Sequence, residues 1–181
     1  MNPVFTVGHS NHPLEKFLHI LRSHAIATVA DVRRFPVSRK WPHFDAAALA
    51  ASLSEAGVAY APMTDLGGRR KPRGDSPHTA WRVEAFRGYA DFMDTPEFRS
   101  SLDRLVALTQ SAPTAVMCAE ALPWRCHRSL LADALLARGI PVREIFNDRE
   151  ARDRRLPGFA RLDGERVIYD VGELDLRPEG A

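Results

Sequence analysis

Thr114-Ala-Val-Met-Cys118-Ala-Glu120-Ala-Leu-Pro123-Trp124-Arg125-Cys126-His127-Arg128-Ser129 begins as a short apolar run, Thr114 to Met117, with the length and character of a buried strand. The run ends in a knot of reactive side chains: Cys118, Glu120, Arg125, Cys126, His127 and Arg128. From Ser129 onward, Leu130, Leu131, Leu135 and Leu136 recur at helical spacing and Gly139 marks a stop. The knot is therefore a strand-to-helix turn. Free N–H groups and partial positive charge at such a helix start favour an anion or a thiolate.

The same strand–turn–helix unit recurs upstream. Pro3 to Gly8 reads as a strand, followed by His9-Ser10-Asn11-His12-Pro13; Asn11 is placed to cap a helix, with Pro13 in its first turn and Leu14, Phe17, Leu18 and Leu21 on one face. Ala25 to Val32 is a second strand, ending in Asp31-Val32-Arg33-Arg34-Phe35-Pro36 and a polar turn with Ser38, Arg39, Lys40, Trp41 and His43. Asp45 then caps an Ala-rich helix that stops at Gly57, and Val58 to Met63 is a third strand. Successive strand–helix passes predict parallel strands with crossover helices.

Residues 65–77 lack periodicity and are rich in turn formers, so they read as a surface loop. Trp81 to Met93 reads as a helix, Thr95-Pro96 as the capped start of another, and Ile140 to Phe146 as a further strand. Asn147 to Pro157 is dense in charge and reads as solvated helix or loop, and Asp163-Gly164 between strand-like arms predicts a hairpin. The expectation is one α/β domain over residues 1–181. Residues 1–146 would form a mostly parallel sheet flanked by helices, a Rossmann-like layered sandwich; residues 147–181 would add a charged connector and a small C-terminal β-hairpin.

With 181 residues, 45% of them hydrophobic, the chain is large enough for a real core. A net charge of +2 argues against a generic nucleic-acid coat protein. Two cysteines, both in the knot, are too few for a disulfide framework. No stretch approaches the ~18 apolar residues of a membrane span, and the first residues lack a signal pattern. A cytoplasmic protein without a membrane partner is expected. The sequence sets no oligomeric state.

In an open parallel sheet, ligands bind beyond the carboxyl ends of the strands. Four such ends here carry polar groups: His9, Ser10 and Asn11; Asp31, Arg33 and Arg34; Gly67, Gly68, Arg69, Arg70 and Lys71, with Arg73 beyond them; and the knot. Arginine forks and close-approaching glycine backbone suit phosphate or carboxylate. No Walker loop or dinucleotide fingerprint is present, which removes the usual support for nucleoside triphosphates and NAD. Cys118 and Cys126 read either as nucleophiles beside the base His127 or as buried small hydrophobes. Glu120 reads as a general base or as an arginine partner. Cofactors stay unassigned: cysteine, histidine and carboxylate are ligand types, but no pair has structural-zinc spacing, so a metal ion is the less favoured use. Trp81, near Arg82 and Phe86, reads as a stacking surface for a base or as core.

Thr6-Val-Gly-His-Ser-Asn11, Asp31-Val-Arg33 with Phe35-Pro36, Leu66-Gly-Gly-Arg69, and Cys118-Ala-Glu120 with Cys126-His127-Arg128 together resemble the DUF488 family. The resemblance implies a compact α/β domain and carries no reaction. The residues themselves suggest an anion- or phosphate-binding enzyme for a nucleotide or nucleic-acid-derived ligand, a hydrolase or transferase. Cys118, Glu120, Cys126 and His127 would do its chemistry. Arg33, Arg69, Arg70, Arg125 and Arg128 would hold an anionic small molecule or nucleic-acid end. The alternative is a non-catalytic nucleic-acid- or ligand-binding module.

Overall fold

The computed structural model describes residues 3–170. Its main sheet contains β1 (Val4–Gly8), β2 (Thr28–Asp31), β3 (Ala59–Pro62), β4 (Thr114–Cys118), β5 (Val142–Ile145) and β6 (Ala151–Asp153), in the order β3-β2-β4-β1-β5-β6. The first five strands are parallel, and β6 runs antiparallel along β5. Strands β7 (Ala160–Asp163) and β8 (Arg166–Tyr169) form the separate hairpin expected around Asp163-Gly164, with Gly164 at φ 61°.

Side chains alternate across the buried strands and feed two cores. Ala115 and Met117 join Phe17, Ile20 and Leu21 of α1 (Leu14–Ser23) and Leu49 and Leu53 of α2 (Ala46–Glu55). Val116 and Cys118 join the opposite core with Tyr89 of α3 (Glu84–Met93), Leu105 of α4 (Pro96–Ser111) and Leu130 of α5 (Arg128–Ala137). The sheet is thus sandwiched between two helical layers, as the strand–helix alternation predicts. Among the described residues no helix is long and apolar enough to cross a membrane.

Local chemistry explains most element starts. The Asp45 carboxylate accepts the Ala47 N–H at 3.4 Å, and the Thr95 hydroxyl accepts the Phe98 N–H at 3.2 Å with Pro96 in the first turn. Asn11 behaves differently from expectation: α1 starts behind Pro13 without a side-chain cap, and Asn11 Oδ1 accepts the Ser10 hydroxyl at 3.3 Å. The charged 147–157 segment is also not simply solvated helix or loop. Asn147 Oδ1 accepts the N–H groups of Arg149 and Glu150, and this turn delivers β6 to the sheet edge. The exposed charges of Arg152 and Asp153 suit an edge strand, where they discourage pairing with another chain. Within residues 65–77, Leu66, Gly67 and Gly68 are buried rather than on the surface. Helix α3 begins at Glu84, after Trp81.

The hairpin is fastened to the second core through Tyr169, which is fully buried. Its backbone bonds to Ala80 and His78, and its hydroxyl donates to Asp133 Oδ2 at 2.8 Å. Asp133 also takes Arg154 Nε at 2.9 Å. The part of the expected tail beyond Asp170 lies outside the described residues.

Burial pushes the Asp133 carboxyl up to about 6, against the pull of Arg154 and Tyr169. The native state therefore holds a proton that the unfolded chain releases near 3.8. This stabilising contribution is complete below the unfolded value and is lost as pH rises through the folded one. Tyr169→Phe is expected to cost about 1–3 kcal/mol by removing a donor from a buried acceptor. Urea unfolding should show a larger loss at a pH above Asp133 ionisation than below it; equal losses would uncouple the hydroxyl from that titration.

Candidate functional site

Three strand ends meet because β4 lies between β1 and β2, with Gly8 opposite Cys118 and Asp31 opposite Met117. Backbone bonds continue the alignment beyond the sheet: His9 N–H to Cys118 O at 3.0 Å, Ser10 N–H to Ala119 O at 2.9 Å, and Val32 N–H to Met117 O at 3.0 Å. The chain leaves β1 for α1 on one face and β4 for α5 on the other, which makes their junction a topological switch point. A cavity of about 670 Å³ opens there.

Of the residues read from the sequence as site candidates, His9, Ser10, Asn11, Arg33, Gly68, Arg69, Cys118, Glu120, Arg125, Cys126 and His127 line this cavity. The others lie elsewhere. Asp31 is fully buried and receives Arg33 Nε at 2.9 Å, Arg33 Nη2 at 2.6 Å and the Tyr60 hydroxyl at 2.8 Å. A Cβ on Gly67 would meet the Arg34 backbone, so that glycine serves a close chain crossing. Arg70 lies over the Phe92 ring at 3.7 Å and donates to the carbonyls of Gly67 and Asp65. Arg73 pairs with Asp75 at 3.3 Å on the surface. Trp81 packs edge-on against Phe86, Phe159 and Tyr169, which makes it core rather than a stacking platform.

Arg128 is 1% exposed, and its guanidinium donates to the Glu120 and Ala121 carbonyls, so it shapes the knot and does not clamp a ligand. Arg33 lines the cavity but is likewise engaged: besides Asp31, it donates to Phe44 O at 2.7 Å and meets His9 Nε2 at 3.3 Å. Burial opposes the Arg33 charge, and Asp31 restores it, with a net upward shift. Burial lowers His9 to about 4. With His9 Nδ1 on Ser10 O at 2.9 Å, the neutral ring offers Nε2 as acceptor to Arg33.

The floor of the cavity holds Cys118, Cys126 and His127, whose sulfurs and one ring nitrogen lie within 4.8 Å of one another. Neighbouring residues within one helix would diverge, but Cys126 is extended (φ −137°, ψ 144°) whereas His127 is already helical (φ −57°, ψ −19°). This change of backbone turns both side chains to one side and leaves Cys126 Sγ 3.7 Å from His127 Nδ1. His127 Nε2 reaches Val32 O at 3.2 Å, so it carries the proton and Nδ1 keeps its lone pair. A Cβ on Gly68 would approach Nδ1 to 2.8 Å, which explains a glycine against that ring. The hydrogen bond from Cys118, with help from Arg128, draws the Cys126 thiol down to about 7, whereas that bond and burial push Cys118 up. Of the two occupants expected at the α5 N-terminus, an anion or a thiolate, the geometry serves the sulfur: Arg128 N–H points to Cys126 Sγ at 3.5 Å, and Ser129 N–H to Cys126 O at 3.1 Å.

The cavity lip contains Arg34, one of the cations expected at the end of the second strand, and four residues not singled out from the sequence as site residues: Phe35, Lys40, Trp41 and Phe86. Phe35 is 62% exposed, with the guanidinium carbons of Arg34 and Arg69 at 5.8 and 5.7 Å from its ring centroid. Lys40 lies 5.4 Å from the Trp41 ring. The available signal was a cation–aromatic alternation directly after a strand end. Two non-glycine residues with positive φ, Ser10 (49°) and Arg69 (60°), also line the cavity. Such conformations cost energy and concentrate at functional sites.

A family model described as "Domain of unknown function DUF488" matches residues 13–135. The match takes in Asp31, the glycine pair and the knot; the His9–Asn11 turn immediately precedes it. No curated protein and no solved structure matches the chain.

Arg128→Met should cost about 2–5 kcal/mol, because it strips donors from carbonyls around a buried cation. Arg125→Met, on an exposed side chain, should stay within about 0.5 kcal/mol. Chemical denaturation of the two variants separates the scaffold arginine from the solvent-facing one. Equal losses would contradict this division.

Proposed function

The chain belongs to the DUF488 family, and because that membership carries no reaction, we propose from the geometry that the rim cavity binds an anionic ligand derived from a nucleotide or a nucleic-acid end and that the protein is an enzyme acting on it. The observation that carries this reading is the lip. Arg34, Lys40, Arg69 and Arg125 line the cavity and form no ion pair among the described residues, and the first and third of them lie over the exposed Phe35 ring. Cations suit a phosphate, and an aromatic face between guanidinium groups suits a base. Among the described residues Glu120 is the sole carboxylate lining the cavity, too few to neutralise it. The enzyme reading rests on the floor, where two thiols and an imidazole exceed what anion binding requires.

The exposure of Phe35 also favours a second reading, a module that binds nucleic acid without chemistry. A labelled 5′-phosphorylated oligonucleotide distinguishes the outcomes by polarisation. Binding should weaken steeply between roughly 50 and 200 mM salt. Arg69→Gly should weaken it about tenfold while leaving stability nearly unchanged, because relief of the left-handed backbone offsets glycine's added chain entropy. Unchanged affinity in Arg69→Gly and Phe35→Ala would remove the lip from ligand binding. Affinity that persists without turnover of any phosphorylated or base-containing substrate would favour the non-catalytic module.

A further inference from the structure

We propose that Cys118, Cys126 and His127 form a three-ligand site for a zinc-class divalent ion, with a fourth position open to the rim cavity. The proposal stands on donor geometry and does not require the ligand to be a nucleotide. Two sulfurs and an imidazole are the donor types that select zinc over harder cations, and catalytic zinc sites commonly use three protein ligands.

Bond lengths of about 2.3 Å to sulfur and about 2.0 Å to nitrogen place tetrahedral ligands roughly 3.5–3.8 Å apart. Cys126 Sγ and His127 Nδ1 are 3.7 Å apart, and all three donors lie within 4.8 Å. At most about an ångström of closure is needed, less than side-chain rotation provides.

The surroundings supply what such ligands require. A ligating histidine donates its second ring nitrogen to a fixed acceptor; His127 Nε2 has Val32 O at 3.2 Å, which points Nδ1 at the sulfurs. The Arg128 N–H, 3.5 Å from Cys126 Sγ, supports that sulfur from the protein side. Cys118 is held at the end of β4 and His127 caps α5, so two of the three donors are placed by regular elements. No pair here has structural-zinc spacing in sequence, and two of the three ligands are adjacent, an arrangement in which helical neighbours would diverge. The extended-to-helical change between Cys126 and His127 removes that objection.

All three donors line the cavity, so the open position faces its contents. A divalent ion there would polarise a water or a ligand oxygen, with Glu120 lining the same cavity to accept a proton.

The test uses the full chain, purified without chelator. Elemental analysis should find about one zinc per chain, and Cys118→Ser or Cys126→Ser should lose it. Cobalt(II) added to the chelator-stripped protein should give thiolate-to-cobalt charge-transfer bands and tetrahedral visible bands. If either serine variant fails to fold, zinc should slow alkylation of both thiols in the native sequence, read by mass spectrometry. Zinc below about a tenth of an equivalent with no cobalt–thiolate band, zinc retained by both serine variants, or unprotected thiols would each overturn the assignment. Anion binding by the metal-free protein is read separately through Arg69→Gly, so failure here and failure of the anion reading are distinguishable.

Discussion

The rim depends on a guanidinium that has been taken out of water. Arg33 is 6% exposed, a position a charge tolerates only with close partners. Those partners come from different parts of the chain: Asp31 at the end of β2, the Phe44 carbonyl before α2, and the His9 ring after β1. Stranding one member of such a buried pair typically costs about 3–5 kcal/mol, so the three segments are linked. Arg128 does the same for the loop after β4 by gathering the Glu120 and Ala121 carbonyls. That loop passes over Gly8, where any Cβ would overlap the Glu120 carbonyl. The cavity is thus bounded by loops that buried cations hold, and the exposed cations at its lip are a separate population.

That division also explains where strain is kept. A left-handed arginine is costly, yet Arg69 occupies such a position at the lip, with its guanidinium over the same ring as that of Arg34. The glycine pair before it serves contact: Gly67 allows the Arg34 backbone to cross and Gly68 admits the His127 ring. Tyr89 binds the Leu66 carbonyl at 2.8 Å, and the Asp91 carboxylate takes the Arg73 N–H at 2.7 Å, so α3 pins the loop at both ends. A fastened loop can hold an unfavourable residue in place.

The layered architecture was legible because it depends on periodicity and punctuation. Met117 and Val116 take opposite faces by strand alternation, Asp45 and Thr95 cap where their hydrogen-bonding chemistry directs, and Asp163-Gly164 turns as such pairs do. Strand β6 was not legible, because an edge strand carrying Arg152 and Asp153 has the composition of a solvated loop. Individual site roles were harder still. Arginine has one chemistry in sequence and three uses here: buried scaffold at Arg33 and Arg128, stacked surface at Arg70, and open cation at Arg125. Only burial separates them, and burial is a tertiary property. Trp81, open in the sequence between stacking surface and core, is half-buried among aromatic rings, whereas Phe35 stands exposed at the lip, again a difference that only tertiary packing makes.

Charge balance links the two levels of the site. If the floor carried two bare thiolates, their negative charge would oppose an anionic ligand above and consume the field of the lip cations, since interactions strengthen in a partly desolvated cavity. Two thiolates with a divalent ion and a neutral imidazole sum to zero. The positive charge of Arg34, Lys40, Arg69 and Arg125 then remains available to whatever enters. With a divalent ion held there, the lip would select by charge and the floor would act by polarisation, each without cancelling the other.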